Sequence, residues 1–138
     1  MQRTGTEKRE LGNQGEELAC KLLADSGCTI VERNFRIGEN PHDPEVDVIV
    51  QDGDALVFVE VRSQTTDYLA TPALTVNERK QRQVVLAARL YLQRCKPLPA
   101  QVRFDVVAVS LGSGPPGLEW IKDAFRPPSS ARAWSFTW

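Results

Sequence analysis

Two acidic residues of this chain sit where acidic residues are costly. In the stretch PEVDVIVQDGDALVFVEVR (residues 44–62), Asp47 and Glu60 each lie inside a run of β-branched and aromatic residues. Side chains alternate across a strand, so Glu45, Asp47 and Ile49 share one face of the first run. Leu56, Phe58, Glu60 and Arg62 share one face of the second. The turn signal Asp52-Gly53 makes the two runs an antiparallel hairpin and sets the carboxylates on neighbouring strands, with the register left open by turn length.

A carboxylate within VFVEV is expensive unless it is paired, hydrogen-bonded or coordinates a cation. Two ordinary explanations compete with a metal site for Glu60: exposure at the strand's end, or an internal ion pair to Arg62 or Arg103. Asp47 shifts the balance, because two neighbouring carboxylates repel unless something positive lies between them. Mg²⁺ binds through one or two carboxylates plus waters and substrate phosphate, which such a pair can supply.

Other elements must position this hairpin. Leu11, Leu18, Ala19, Leu22 and Leu23 recur at helical spacing, which predicts an amphipathic helix over residues 11–24, ended by Ser26-Gly27. Residues 28–37 (CTIVERNFRI) read as a strand, and GENPHDP as a loop. A second helix is expected from Asn77, a fitting N-cap, to about Cys95, with Pro97 as its stop. Residues 102–111 (VRFDVVAVSL) form a further strand. It follows a helix of crossover length, so it is expected to run parallel to the third strand. The order αβββαβ then gives an α/β fold, a small mixed sheet flanked by helices. A polar segment (1–10) precedes a single domain (11–126). That domain ends with the short piece LEWIKDAF, and a tail (127–138) carries Trp134, Phe136 and Trp138; disorder, folding back on the domain and packing on a second copy all stay open for it, and its alternation suits an added strand.

With 138 residues, 25% of them charged, and a net charge of −1, the chain has an ordinary soluble composition for one domain. It lacks the basic balance of a DNA-coating protein, so nucleic-acid contact would come from a local, salt-sensitive patch. No apolar run approaches the roughly 20 residues that span a bilayer. The start, MQRTGTEKRE, lacks the apolar stretch of a signal peptide, and a cytoplasmic location is expected. Cys20, Cys28 and Cys95 form no CxxC pair and His42 is the one histidine. That excludes a structural zinc site and reads the thiols as buried and reduced. A nucleophile system built on His42, in the loop, carries little weight.

Asp47, the hairpin and Glu60-Val61-Arg62 resemble the motif of the PD-(D/E)XK metal-dependent nucleases, and the element order matches their restriction-endonuclease-like core. The wider sequence is similar to the bacterial YraN-like family, itself similar to Holliday-junction resolvases. The matching stretches are GNQGEELACKLL, VERNFR, EVDVIVQDGDALVFVEVR, the segment around Lys80, RFDVVAV and LEWIKDAF, together covering about residues 11–126. This resemblance implies Mg²⁺ or Mn²⁺ held by Asp47, Glu60 and the carbonyl of Val61. It implies nucleic acid, DNA foremost, as the partner, and a homodimer by analogy with resolvases. It also brings Glu16 of the first helix to the site; an ordinary solvated helix acid beside Glu17 is the competing reading.

Two positions depart from the pattern. Pro44 stands where the family typically has glycine, which should alter the loop more than the ligands. Arg62 stands where the nuclease motif has a lysine that orients or activates water, although arginine does occur there within the YraN-like family. Arginine offsets charge and grips phosphate with two bonds, but it cannot deprotonate to act as a base. Lys80, near the start of the second helix, is the candidate for a relocated lysine; a surface lysine at a helix end is the simpler reading. Arg79, Arg82 and Arg89 are candidates for a phosphate-tracking patch on what is by default a solvated face. Asp105, inside an apolar strand, is expected to make a buried structural hydrogen bond. The functional expectation is metal-dependent phosphodiester hydrolysis of branched DNA. The alternatives are a non-catalytic nucleic-acid-binding module or a protein-interaction scaffold of the same fold.

Overall fold

The computed structural model describes residues 5–65 and 76–127. Along the chain these form α1 (Gly5–Asp25), β1 (Thr29–Arg36), β2 (Glu45–Asp52), β3 (Ala55–Gln64), α2 (Glu78–Leu92), β4 (Gln101–Ser110) and β5 (Gly117–Ile121). The strands build one sheet in the order β1-β2-β3-β4-β5. β1, β2 and β3 are an antiparallel meander, and β4 runs parallel to β3, as the crossover helix requires. This is the mixed, helix-flanked sheet of a restriction-endonuclease-like core.

Each element follows from local chemistry. At the end of α1 the Cys28 N–H bonds Leu23 O and the Gly27 N–H bonds Ala24 O. Gly27 has φ 99°, so the helix closes in a glycine-dependent Schellman turn. β2 and β3 pair up to Asp52↔Ala55, leaving a two-residue loop. Gly53 there has φ 59° while Asp54 is not among the positive-φ residues, the type II′ pattern that matches strand twist. Asn77 caps α2 by accepting the Lys80 backbone N–H at 2.9 Å.

Two boundaries differ from the sequence expectation. α1 begins at Gly5 rather than near Leu11, because its first turns (GTEKRE) carry no apolar residue to mark a helical period. β5 lies within the piece LEWIKDAF; five residues paired antiparallel to β4 are too short to show a strand period.

Both faces of the sheet are covered. α2 packs over Ile49, Leu56, Phe58, Phe104 and Val106 with its own Val84, Ala87, Ala88 and Leu92. α1 packs over Val48, Val50, Val57, Val59, Val107 and Val109 with Ala19, Cys20 and Leu23. Each fully buried aliphatic side chain contributes about 1.5–3 kcal/mol, so this alternation fixes the register of β3. Free Cys20 and Cys28 are buried as expected, and burial pushes both thiols up in pKa, which leaves them inert. Among the described residues no helix is long and apolar enough to cross a membrane.

Asp105 has the structural role expected of it. It is 0% exposed and accepts from Arg103 Nε and Nη2, from Trp120 Nε1 and from the Asp123 N–H, each at 2.9 Å. Arg103 Nη2 also reaches Asp52 at 2.8 Å, so β2, β4 and β5 meet in one satisfied polar network. Replacing Asp105 by Ala strands the Arg103 charge and the indole N–H. It should therefore destabilise the protein by about 3 kcal/mol in urea titrations. Asp52→Ala, at a partly solvated partner, should cost less than about 1 kcal/mol.

Candidate functional site

The site opens where β2 leaves β3. Val48↔Val59 is the last paired position of these two strands, whereas β2 stays paired with β1 as far as Glu45↔Arg36. Asp47 is the first residue past the break. Its Oδ2 accepts the Val61 backbone N–H at 2.8 Å, so a side chain takes up a donor that the strand ladder no longer satisfies. Opposite it on β3, Glu60 is 1% exposed. Burial first, then a hydrogen bond to Asp47 and the charge of Asp47, hold its carboxyl well above the usual carboxylate range; Lys80 opposes them. The two carboxyls are thus neighbours on adjacent strands.

Lys80 is not a surface lysine. It extends from the first turn of α2 with its side chain 21% exposed, placing Nζ 3.4 Å from Glu60 Oε2 and 3.0 Å from Glu45 Oε1. Glu60 therefore pairs with neither Arg62 nor Arg103. Arg103 is taken by Asp105 and Asp52, and Arg62 makes no ion pair among the described residues. Burial lowers the Lys80 pKa, but Glu60, Glu45 and Asp47 outweigh it and the net direction is up, so the side chain stays an ammonium. The pair with Glu60 is coulombic rather than a formed hydrogen bond: Glu60 Oε2 is buried with no hydrogen-bond partner.

Glu16 comes to the site from the other layer. Burial, then the charge of Asp47, raise its pKa, while Arg33 and a hydrogen bond from Asn34 lower it. Asn34 has φ 53°, in the left-handed region that asparagine tolerates within a strand. Gly15 lets α1 approach this end of β3, because a Cβ there would run into the Ser63 hydroxyl. Like Glu60 Oε2, Glu16 Oε1 is buried without a hydrogen-bond partner. Two orphaned carboxylate oxygens beside a third carboxylate are what a hard divalent cation fits. Among the described residues no three His, Cys, Asp or Glu side chains close on a single point. A cation here would accordingly be held by two carboxylates and completed by water or phosphate oxygens.

Residues 15–109 match the model of a protein family described as "Uncharacterised protein family UPF0102". The chain belongs to this family. It is 36% identical over 124 residues to a UPF0102 protein of Herminiimonas arsenicoxydans, covering 90% of this chain and 93% of that one. It is 42% identical to a UPF0102 protein of Rhodococcus opacus, over 83% of this chain and 95% of the relative. The same identity holds to one of Anaeromyxobacter dehalogenans, over 88% and 87%. The YraN-like resemblance read from the motifs is this family. Glu16, Asp47, Glu60, Lys80 and Arg62 of this UPF0102 chain all fall inside the matched range.

The remaining candidates stand apart. Arg79 and Arg82 are exposed on α2, and Arg82 lies 3.9 Å from Glu78. Arg82 and Arg89 line a groove of about 530 Å³ with Val85, Leu86 and Arg126. Arg89 lies nine positions after Lys80, about two and a half helical turns, so the groove faces away from the site. Arg82 and Arg89 of the expected patch and the carboxylates thus occupy different sides of α2. His42 is exposed in the loop before β2 and joins neither. Glu45 is the site residue that sequence reasoning passed over: at a strand's first position it looks solvated, and only its contact with Lys80 marks it.

Because the folded-state pKa of Glu60 is raised, its contribution to stability is fully present below the unfolded value of about 4.3 and is lost as pH rises through the folded value. Glu60→Gln removes the buried charge and should stabilise the metal-free protein by about 1 kcal/mol at pH 7. The difference should shrink towards zero as pH falls to about 4.3 in urea titrations with chelator present.

Proposed function

We propose that this UPF0102 protein is a divalent-metal-dependent phosphodiesterase acting on DNA, with its site formed by Asp47, Glu60, Lys80 and Glu16. The observation that carries this reading is the pair of buried, unpartnered oxygens, Glu60 Oε2 and Glu16 Oε1, beside Asp47 and an ammonium. A partly buried site of that kind is unfavourable for a protein that needs only to fold, and it suits a cation arriving with a phosphate.

Asp47 and Glu60 would hold Mg²⁺ or Mn²⁺, with the Val61 carbonyl as a further ligand by resemblance and Glu16 as an outer one. When bound, the metal supplies a water of lowered pKa and neutralises charge that develops on the phosphate. Lys80 remains protonated, so it donates hydrogen bonds rather than serving as a base. Its ammonium lies over Glu60, within reach of a phosphate oxygen or a water set against the carboxylates. The Asp47 carboxylate is oriented by the Val61 N–H through its Oδ2. Arg62 lies two positions beyond Glu60 on the same strand face, half-buried and free of acidic partners among the described residues. That placement suits a bidentate grip on phosphate.

Arginine at the usual lysine position favours a second reading, in which the site binds nucleic acid without cutting it. Mn²⁺ titration calorimetry and cleavage of four-way-junction and single-stranded DNA separate the two. The wild type should bind Mn²⁺ and cleave, and Asp47→Ala and Glu60→Ala should do neither. Lys80→Met should keep its Mn²⁺ heat and lose about a hundredfold in rate. Unchanged heats in both carboxylate variants would remove the metal site, and junction bound but uncut with metal present would establish the binding module. Replacing Arg79 and Arg82 should flatten the salt dependence of DNA affinity by about one unit of slope per lost phosphate contact.

A further inference from the structure

We infer that Glu45 is a positioning residue of the proposed site, holding the Lys80 ammonium in place over Glu60. The inference rests on the reading of the site given above. A lysine side chain has four rotatable methylenes and about 2 kcal/mol of rotamer freedom to lose. Something directional must fix its end. Glu60 does not: its Oε2 is 3.4 Å from Nζ and makes no hydrogen bond, so it attracts without orienting. Glu45 does, through a hydrogen bond of 3.0 Å from Nζ to Oε1.

The surrounding contacts fix both ends of this bond. The Lys80 backbone N–H is held by the Asn77 cap, which sets where the side chain leaves α2. Gln83, one turn on, donates from Nε2 to the carbonyls of Pro41 and Asp43 at 2.9 and 3.1 Å, which ties α2 to the loop leading into β2. Glu45 is the first residue of β2 after that loop. Its other oxygen, Oε2, lies 3.7 Å from Arg36 Nη1, so its charge is shared and Lys80 is not fully neutralised. The Glu45 side chain is 29% exposed, enough to screen an ordinary ion pair but not to solvate an ammonium enclosed on its other side by Glu60.

The test uses the full chain with Glu45→Gln, Glu45→Ala, Lys80→Met and the Glu45→Ala/Lys80→Met double variant. In the wild type the Lys80 ammonium should give its own ¹H–¹⁵N correlation, because held protons exchange slowly with water. The signal should weaken in Glu45→Gln and vanish in Glu45→Ala, while both bind Mn²⁺ as the wild type does. In single-turnover cleavage, Gln should cost about tenfold and Ala about a hundredfold in rate at unchanged DNA affinity, and the double variant should be no slower than Lys80→Met. A Lys80 signal that persists in Glu45→Ala, rate losses that multiply in the double variant, or loss of Mn²⁺ binding in the isosteric Glu45→Gln would each overturn the inference. Should Glu45→Ala fail to fold, Glu45→Gln decides by the same readouts. If the wild type cleaves no DNA, the proposed reaction fails while the ammonium signal still judges Glu45.

Discussion

A carboxylate taken out of water costs several kcal/mol even after the protein relaxes around it, and Glu60 is buried beside a second carboxylate. The disposition of the surrounding elements answers that constraint. Positive charge has to arrive at the C-terminal part of β3, and it arrives from α2, the crossover to the parallel strand β4. The helix must start at the right height, which the Asn77 cap sets, and must lie against β2, which the Gln83 bonds to the preceding loop secure. The divergence of β2 from β3 at Asp47 belongs to the same arrangement. Had the ladder continued, the Val61 N–H would be spent on backbone and Asp47 would have no anchor.

The polar network around Asp105 shows the contrasting case. It too is a carboxylate inside an apolar strand, and from sequence it looks much like Glu60. In the fold its oxygens receive four hydrogen bonds, two of them from one arginine, and nothing is left over. Glu60 Oε2 and Glu16 Oε1 lack such partners. Two buried acids on adjacent strands therefore differ in the one respect that separates structure from chemistry, the presence of unspent acceptor capacity. Protein stability accounts for the first and gives no reason for the second.

Much of this was legible in the residues because it depends on short periods. Alternation along β2 and β3 places Asp47 beside Glu60, Gly27 and Asn77 mark helix ends, and the length of the α2 crossover implies a parallel β4. The partner of Glu60 was not legible. Arg62 and Arg103 are its near neighbours in strand pattern, yet Arg103 is committed to Asp105 and Asp52, while Lys80, 20 positions away in sequence, is brought in by the path of α2. Whether a helix-end lysine faces solvent or turns inward depends on a helix's rotation about its axis, which periodicity constrains only loosely. Glu45 was hidden for the same reason, since its meaning exists only through Lys80. The start of α1 and strand β5 escaped because neither carries enough apolar residues to show a period.

The charge inventory of the site bears on what it can bind. Glu16, Glu45, Asp47 and Glu60 face Lys80 and the nearby Arg62, with Arg36 beside Glu45 and Arg33 near Glu16 as further cations. Raised pKa values let Glu16 and Glu60 take up protons more readily than free carboxylates, which reduces the negative charge these two carry. A phosphodiester carries its own negative charge, so the adjacent Asp47 and Glu60 carboxylates disfavour it unless positive charge lies between. Arg82 and Arg89 of α2 offer no remedy at the same spot, because they line a groove on the far side of the helix. On the proposed reading, hydrolysis and simple binding at Asp47 and Glu60 would share one requirement, a divalent cation between the carboxylates and the phosphate. On that reading Arg62 would be no defect: with Lys80 supplying the ammonium, the β3 position would be released to grip phosphate, a task for which a guanidinium is better shaped than a lysine.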